Sequence, residues 1–358
     1  MGDHPVLFIP GPTEVELELR QIMAMPLVGH RDPKFTTLVQ DVCTRLRDLY
    51  QTAQPAAFES CPATAFMEAG IRNLVPRGGR SLHLVCGAFS ERWFKIARLC
   101  GRDAEALAVP LGHTHDPDQL RDRLRKGPPV AAVMITHNET ATGVIAPLQK
   151  LAAAVREHAP DALVLVDVVT SLGGAEVRFD DWGLDFAFAG TQKCLALPPG
   201  ICTFAASARA LARAATVEER GFLFDLPRSM KETNEGKTLA TPCVPLVYAL
   251  RRQLERVAAE GLPQRWARHL AMRDATLAWA AAKGMRPFVA NDEARSPTVS
   301  CIDAQGGSVD GLAAAALAAG FKIDKGYGDL KGKAFRIGHM GDHTVSRLQQ
   351  LLAAITEN

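Results

Sequence analysis

The chain of 358 residues has room for two or three domains of ordinary size. With 47% hydrophobic and 22% charged residues it is neither disordered nor collagenous, and it can bury a sizeable core. Its 41 Lys and Arg against 39 Asp and Glu leave a net charge of +2 with no basic run, which gives no support to a nucleic-acid or anionic-membrane partner.

From about residue 60 onward, helix and strand patterns alternate. Phe66 to Val75 reads as a helix, Ser81 to Cys86 as a short apolar strand and Phe89 to Leu99 as a helix again. Val130 to Ile135 is a strand that runs into a polar turn, and Leu148 to Val155, just after Pro147, is a helix. Ala162 to Val166 has the near-continuous hydrophobicity of a strand covered on both faces; Asp185 to Ala189 and Ile201 to Ala205 read as two more strands. Such alternation predicts an α/β layer fold with right-handed crossovers. After Pro245 the pattern changes. Two long amphipathic helices, Leu246 to Glu260 and Pro263 to Lys283, lead into a strand at Pro297 to Ile302 and a helix at Val309 to Ala319. A strand at Ala334 to Ile337 and a helix at Val345 to Ile355 follow. This predicts a smaller C-terminal α+β unit, with the boundary at 255–262 around Gly261-Leu-Pro263.

Met1-Gly-Asp-His-Pro5 lacks a charged stretch leading into an apolar run, so no secretory leader is read. No apolar stretch reaches the ~20 residues of a membrane span. The eight cysteines are scattered, without a CxxC pair or zinc-spaced histidines, and read as small buried hydrophobes of a reduced, cytoplasmic protein with no metal site. His113-Thr-His115, flanked by Gly112 and Asp116-Pro117-Asp118, reads as solvated loop.

In open α/β sheets ligands sit beyond the carboxyl ends of the strands, and there the sequence is informative. Asp167 closes the 162–166 strand, a costly place for a carboxylate unless it meets a cation or a strong donor. Beyond the 185–189 strand, Lys193 lies between Gly190-Thr-Gln192 and a hydrophobic run, where desolvation would lower its pKa toward that of a nucleophile. Thr136 to Gly143 supplies a dense set of hydrogen-bonding groups. Cys61-Pro62-Ala63-Thr64-Ala65, ahead of a helix, offers free backbone N–H groups to an anion. Each taken singly has an ordinary reading as a turn, a solvated amine or an N-cap. Together they suit one ligand that carries a phosphate, a group that becomes cationic and an aldehyde; pyridoxal phosphate has all three.

The order of motifs resembles that of the class V pyridoxal-phosphate-dependent aminotransferases, which include alanine–glyoxylate, serine–glyoxylate (or pyruvate) and, more distantly, phosphoserine aminotransferases. The matching segments are Pro10-Gly-Pro-Thr13, Gly29-His-Arg31, Met67-Glu-Ala69, Asn138-Glu-Thr140, Asp167, Lys193, Thr241-Pro242 and Phe335-Arg-Ile-Gly338. The resemblance implies fold type I. A large domain (16–258) with a mostly parallel seven-stranded sheet would be followed by a small C-terminal domain (259–358), with residues 1–15 near the active site.

It also implies roles. Lys193 would carry the cofactor and shuttle the proton at the substrate Cα, and Asp167 would pair with the pyridine nitrogen. Phe89 would stack on one ring face, with Trp93, one turn on, in the core. Val169 would cover the other face and Thr140 would bond the ring hydroxyl. Ala63, Thr64 and Gln192 would hold the phosphate, with Thr241 reaching it from the other subunit of a homodimer. Arg336, with Gly11, would bind the substrate carboxylate, and Arg31 is the first candidate to read a distal charge, ahead of His30, Lys331 and His339. Two positions depart from the family pattern: Ala63 and Ala65 replace glycines of the phosphate loop, and Phe89 stands where many relatives have Trp.

The expected reaction is ping-pong transfer of an amino group from alanine or serine to glyoxylate or pyruvate. Aspartate or phosphoserine is the alternative donor. A desulfurase is disfavoured, because Gln192 stands where that branch has His. A silent homologue is disfavoured by the presence of Asp167, Lys193 and Arg336 together.

Overall fold

The computed structural model describes residues 4–355. In chain order the elements are β1 (Val6–Phe8), α1 (Leu17–Met23), α2 (Pro33–Tyr50), β2 (Ala56–Glu59), α3 (Ala63–Leu74), β3 (Arg80–Val85), α4 (Ala88–Leu99) and β4 (Asp103–Ala108). Then come α5 (Pro117–Lys126), β5 (Ala132–Thr136), β6 (Asn138–Glu139), β7 (Val144–Ile145), α6 (Leu148–His158), β8 (Leu163–Asp167), β9 (Phe186–Gly190) and β10 (Cys202–Ala206). The C-terminal part contains α7 (Ala208–Ala215), α8 (Leu226–Asn234), α9 (Val244–Glu260), α10 (Leu262–Ala282), β11 (Arg286–Pro287), β12 (Val299–Asp303), α11 (Val309–Ala318), β13 (Phe321–Ile323), β14 (Ala334–Gly338) and α12 (Val345–Ala354).

Seven strands form the main sheet in the order β2-β10-β9-β8-β5-β3-β4, in which β10 alone runs antiparallel to its neighbours. Alternate side chains of the central strands enter two different cores. Val133, Ile135, Val164, Val166, Ala187 and Ala189 pack with α2, α6 and α9. Ala132, Met134, Leu163, Leu165, Phe186 and Phe188 pack on the other face with α3, α4 and α7. Both faces are dry, which is why these strands read as unbroken apolar runs rather than as alternation. A third core, built from Phe8, Met272, Ile302, Phe335, Ile337, Leu348 and Leu351, fills the space between α10, α12 and the three-stranded antiparallel sheet β11-β12-β14.

The predicted elements from residue 66 onward recur within a few residues of their expected ends. Three of the unpredicted ones show what local sequence does and does not mark. Helix α2 carries a legible start signal, Asp32 accepting from Lys34 N ahead of Pro33, and an apolar stripe of Phe35, Val39, Val42, Leu46 and Leu49. Strand β1 has three residues and pairs with β13, more than 300 positions away, so no local signal marks it. Strand β4 lies at the sheet edge and is half-exposed. The loop at 113–118 is only partly solvated. Asp116 caps α5, and His115 is buried with Nε2 2.8 Å from the Leu107 carbonyl oxygen. Five cysteines are buried as expected, but Cys61 and Cys100 are half-buried and Cys243, at the start of α9, is exposed. Phe222 and Leu223 are exposed, with the Arg228 guanidinium over the Phe222 ring.

In the first turn of α10, just after α9, Arg265 is buried and makes four hydrogen bonds. It donates to the carbonyls of Gly173 (3.1 Å) and Cys194 (2.8 Å), and pairs with Asp342 (2.9 Å) and Glu260 (2.7 Å). It thereby ties the residue after Lys193 to α10 and to the loop after β14. Removing one partner of a buried charge pair strands the other. Arg265→Met is therefore expected to cost about 3–5 kcal/mol in urea unfolding; a cost within experimental error would remove this network as a structural tie.

Candidate active site

The polar segments that follow the parallel strands converge, because parallel strands all point their carboxyl ends the same way. Strand β8 delivers Asp167, β9 delivers Gln192 and Lys193, β5 leads into Asn138 and Thr140, and β3 leads into α4 with Phe89. A cavity there is lined by Pro62, Ala63, Thr64, Met67, Phe89, Arg92, Asn138, Thr140, Asp167, Val169, Thr170, Gln192 and Lys193. Eight of the residues expected from the sequence share it: Ala63, Thr64, Phe89, Thr140, Asp167, Val169, Gln192 and Lys193. Trp93 is buried in the core behind it, its indole N–H donating to the Met67 carbonyl.

Burial controls the electrostatics. Desolvation pushes the Asp167 carboxyl up to about 7, helped by the nearby Glu139 and opposed by Lys193, Arg92 and the N–H of Val169, 2.9 Å from Oδ1. Desolvation likewise lowers the Lys193 ammonium to about 8, with the Arg336 charge acting in the same direction. The Lys193 amine donates to the Pro10 carbonyl. The next residue, Gly11, has φ +120°, and a methyl group there would overlap the lysine side chain. Only glycine fits this approach.

Two helices aim their N-termini at the cavity. Helix α3 starts at Pro62-Ala63-Thr64 and has no side-chain cap, so its first N–H groups are open to an anion. Helix α4 is closed by a side chain of the protein itself, Glu139, which accepts from Phe89 N (3.0 Å) and Ser90 N (3.1 Å). Sequence reading passed over Glu139, although it lies within the quoted Asn138-Glu-Thr140 segment.

Arg336 is buried on β14. Its Nε donates to Asp324 (2.7 Å) and its terminal nitrogen to the Thr140 carbonyl (2.8 Å), and its guanidinium lies 5.4 Å from the Tyr327 ring centroid. Tyr327 also stacks on Phe89. Arg92, another residue missed in the sequence, sits over the Phe89 ring and lines the cavity. It lies one turn after Phe89, a spacing that puts both on one helix face. Arg31 and Thr241 are exposed and outside this cavity lining, Lys331 is exposed, and His30 is half-buried on the turn before α2. His339 is buried against Ser300 Oγ (2.9 Å) and held neutral by burial, at about 3.

The aminotransferase class-V family model matches residues 35–326. The chain belongs to that family. It is an aminotransferase of the α/β architecture described above, with the mostly parallel seven-stranded sheet of fold type I. An uncharacterized aminotransferase of Methanocaldococcus jannaschii is 36% identical over 340 residues, covering 94% of this chain and 88% of that protein. The L-aspartate–glyoxylate aminotransferase of Paracoccus denitrificans is 32% identical, covering 96% and 88%. The structure of alanine–glyoxylate aminotransferase from Nostoc sp. superposes with a TM-score of 0.93 at 31% identity, covering 99% of this chain and 95% of that one. No helix among the described residues is long and apolar enough to cross a membrane.

The burial of Asp167 has a measurable consequence. In the folded protein its proton leaves near pH 7, in the unfolded chain near pH 4, so folding stability falls as pH rises across that window. In the cofactor-free aminotransferase, Asp167→Asn is expected to melt above the unsubstituted protein, with a gap that widens between pH 5.5 and pH 8. A gap independent of pH in that range would contradict the raised carboxyl.

Proposed function

We propose that this aminotransferase uses pyridoxal phosphate to move an amino group, in a ping-pong cycle, from a small amino acid to glyoxylate or pyruvate, with alanine or serine the preferred donor. The observation that carries the reading is the convergence of an amine near its pKa, a buried carboxylate and an uncapped helix N-terminus on one cavity. These residues fit the cofactor, one group to each feature. The N–H groups at Ala63 and Thr64 suit the phosphate, Phe89 and Val169 the two ring faces, Thr140 the ring hydroxyl and Asp167 the ring nitrogen. Ala63 and Ala65 leave the helix start intact, so their replacement of glycine does not remove the backbone donors.

When bound, the cofactor supplies an aldehyde that takes the nitrogen and a ring that draws electrons from the substrate Cα. The rest falls to the protein. Lys193 Nζ, a substantial fraction unprotonated near pH 8, serves as nucleophile and then as the base and acid that move the proton at Cα. The Asp167 carboxylate holds a proton on the ring nitrogen, an ion pair that offsets its own desolvation. The free edge of Arg336 takes the α-carboxylate, oriented by Asp324 and the Thr140 carbonyl. Gly11 lets the 10–12 segment close over the lysine. The glyoxylate named for the Paracoccus and Nostoc relatives supports that acceptor.

We also propose a homodimer in which Thr241 reaches the other subunit's phosphate site; its exposure, and that of Phe222 and Leu223, supports this. Residues 16–258 and 259–358 then act as large and small domains, with the 1–15 segment near the active site, and the cytoplasm is the proposed compartment.

The visible spectrum of the protein with pyridoxal phosphate, before and after alanine, serine, aspartate, glutamate or phosphoserine, tests the reading. The band of lysine-bound cofactor should form and be bleached most completely by alanine or serine, and Lys193→Ala should abolish both band and turnover. Turnover unchanged in that variant would overturn the reading.

A dicarboxylate donor is the second reading, favoured by Arg92, which lines the cavity and makes no ion pair among the described residues. Arg92→Met should then cut kcat/KM for aspartate by about 100-fold while changing that for alanine far less. Equal losses for both would reject Arg92 as the reader of a distal charge, and Arg31 of a second subunit would be next in line.

A further inference from the structure

We propose that Glu139 is a positioning residue: its carboxylate closes the N-terminus of α4 and so fixes the Phe89 ring against the cavity. The residue is 1% exposed, and each hydrogen-bond partner of its carboxyl group is a donor. Oε2 accepts from the N–H groups of Phe89 (3.0 Å) and Ser90 (3.1 Å) and lies 3.1 Å from Ser90 Oγ, while Oε1 accepts from Ala141 N (3.2 Å). The carboxylate therefore joins the α4 start to the strand segment that carries Thr140, across 50 residues of sequence. Burial pushes the Glu139 carboxyl above the usual carboxylate range, and the N–H groups of Ser90, Ala141 and Phe89 together with the helix dipole act against that shift.

The surroundings leave this group little freedom. A Cβ on Gly87 would come within 2.6 Å of the Glu139 Cδ, so the residue before α4 has to be glycine for the carboxylate to fit. Ser90 Oγ accepts in turn from Cys86 N and Gly87 N (both 3.0 Å), which locks the approach to the helix. The amide held at Phe89 belongs to the residue whose ring faces the cavity, so any slip of the first turn swings that ring. Among the described residues the Phe89 ring has Tyr327 stacked 6.0 Å away between centroids and the Arg92 guanidinium 4.8 Å from its centroid. Glutamine has the same shape but no charge and one accepting oxygen: with its NH2 toward the first-turn N–H groups it loses both bonds, and with its oxygen there it accepts them without charge assistance, so the first turn is weakened either way.

The effect on cofactor rests on the reading under Proposed function, and the experiment separates the two. Amide exchange on the cofactor-free protein should show faster exchange at Phe89 and Ser90 in Glu139→Gln, with the overall melting transition retained. Equilibrium dialysis with pyridoxal phosphate should show about tenfold weaker binding in that variant, with a reduced visible circular dichroism of the bound cofactor. In a Phe89→Leu background the same substitution should change affinity less than about twofold, because the ring through which Glu139 acts is gone. Unchanged exchange at Phe89 and Ser90, or an equal loss of affinity in both backgrounds, would overturn the role of Glu139. Absence of binding by the unsubstituted protein would instead overturn the cofactor reading itself.

Discussion

Burying an amine and a carboxylate at the carboxyl edge of one parallel sheet costs free energy, and much of the surrounding structure supports that cost. Lys193 and Asp167 are each shifted toward the neutral form by desolvation, and their mutual attraction recovers only part of the penalty. The sheet holds them in place because both of its faces are covered by apolar helices, leaving the strand ends as the outlet for polar chemistry. Behind the lysine, Arg265 fixes the Cys194 carbonyl; in front of it, Pro10 and Gly11 close down on the amine.

The two helix N-termini at the cavity show how the same local feature takes opposite uses. Helix α4 is neutralised from within by Glu139, so its positive end is spent on architecture. Helix α3 has no such cap, and its positive end faces the cavity. The difference lies in one glutamate brought from a distant segment. At the helix starts, Gly87 and Ser90 make room for and bond to that glutamate, whereas α3 follows Pro62.

Arg336 and Arg92 also put one residue type to different uses. Arg336 is buried and oriented by Asp324 and by the Thr140 carbonyl, which couples the small C-terminal sheet to the strand-end loops. Arg92 is held mainly over an aromatic face, so its charge stays available. Tyr327, between Phe89 and Arg336, brings the aromatic and cationic walls together.

What the sequence by itself determined was whatever local chemistry encodes. Apolar runs such as Leu163 to Val166 announce strands covered on both faces, Gly261 between two amphipathic stretches marks the helix break, and Asp167 and Lys193 stand out because charges seldom follow such runs. Tertiary structure alone decided what depends on distant partners. The pairing of β1 with β13, the depth of His115, the buried fork of Arg265, the exposure of Phe222 and the capture of α4 by Glu139 all join residues far apart in the chain. Such contacts leave no periodic trace, because the partner that makes a position buried, paired or open is absent from its own neighbourhood in sequence. Arg31 and Thr241 show the same rule: the sequence suggests both for the site, and the structure places both exposed and outside the cavity lining.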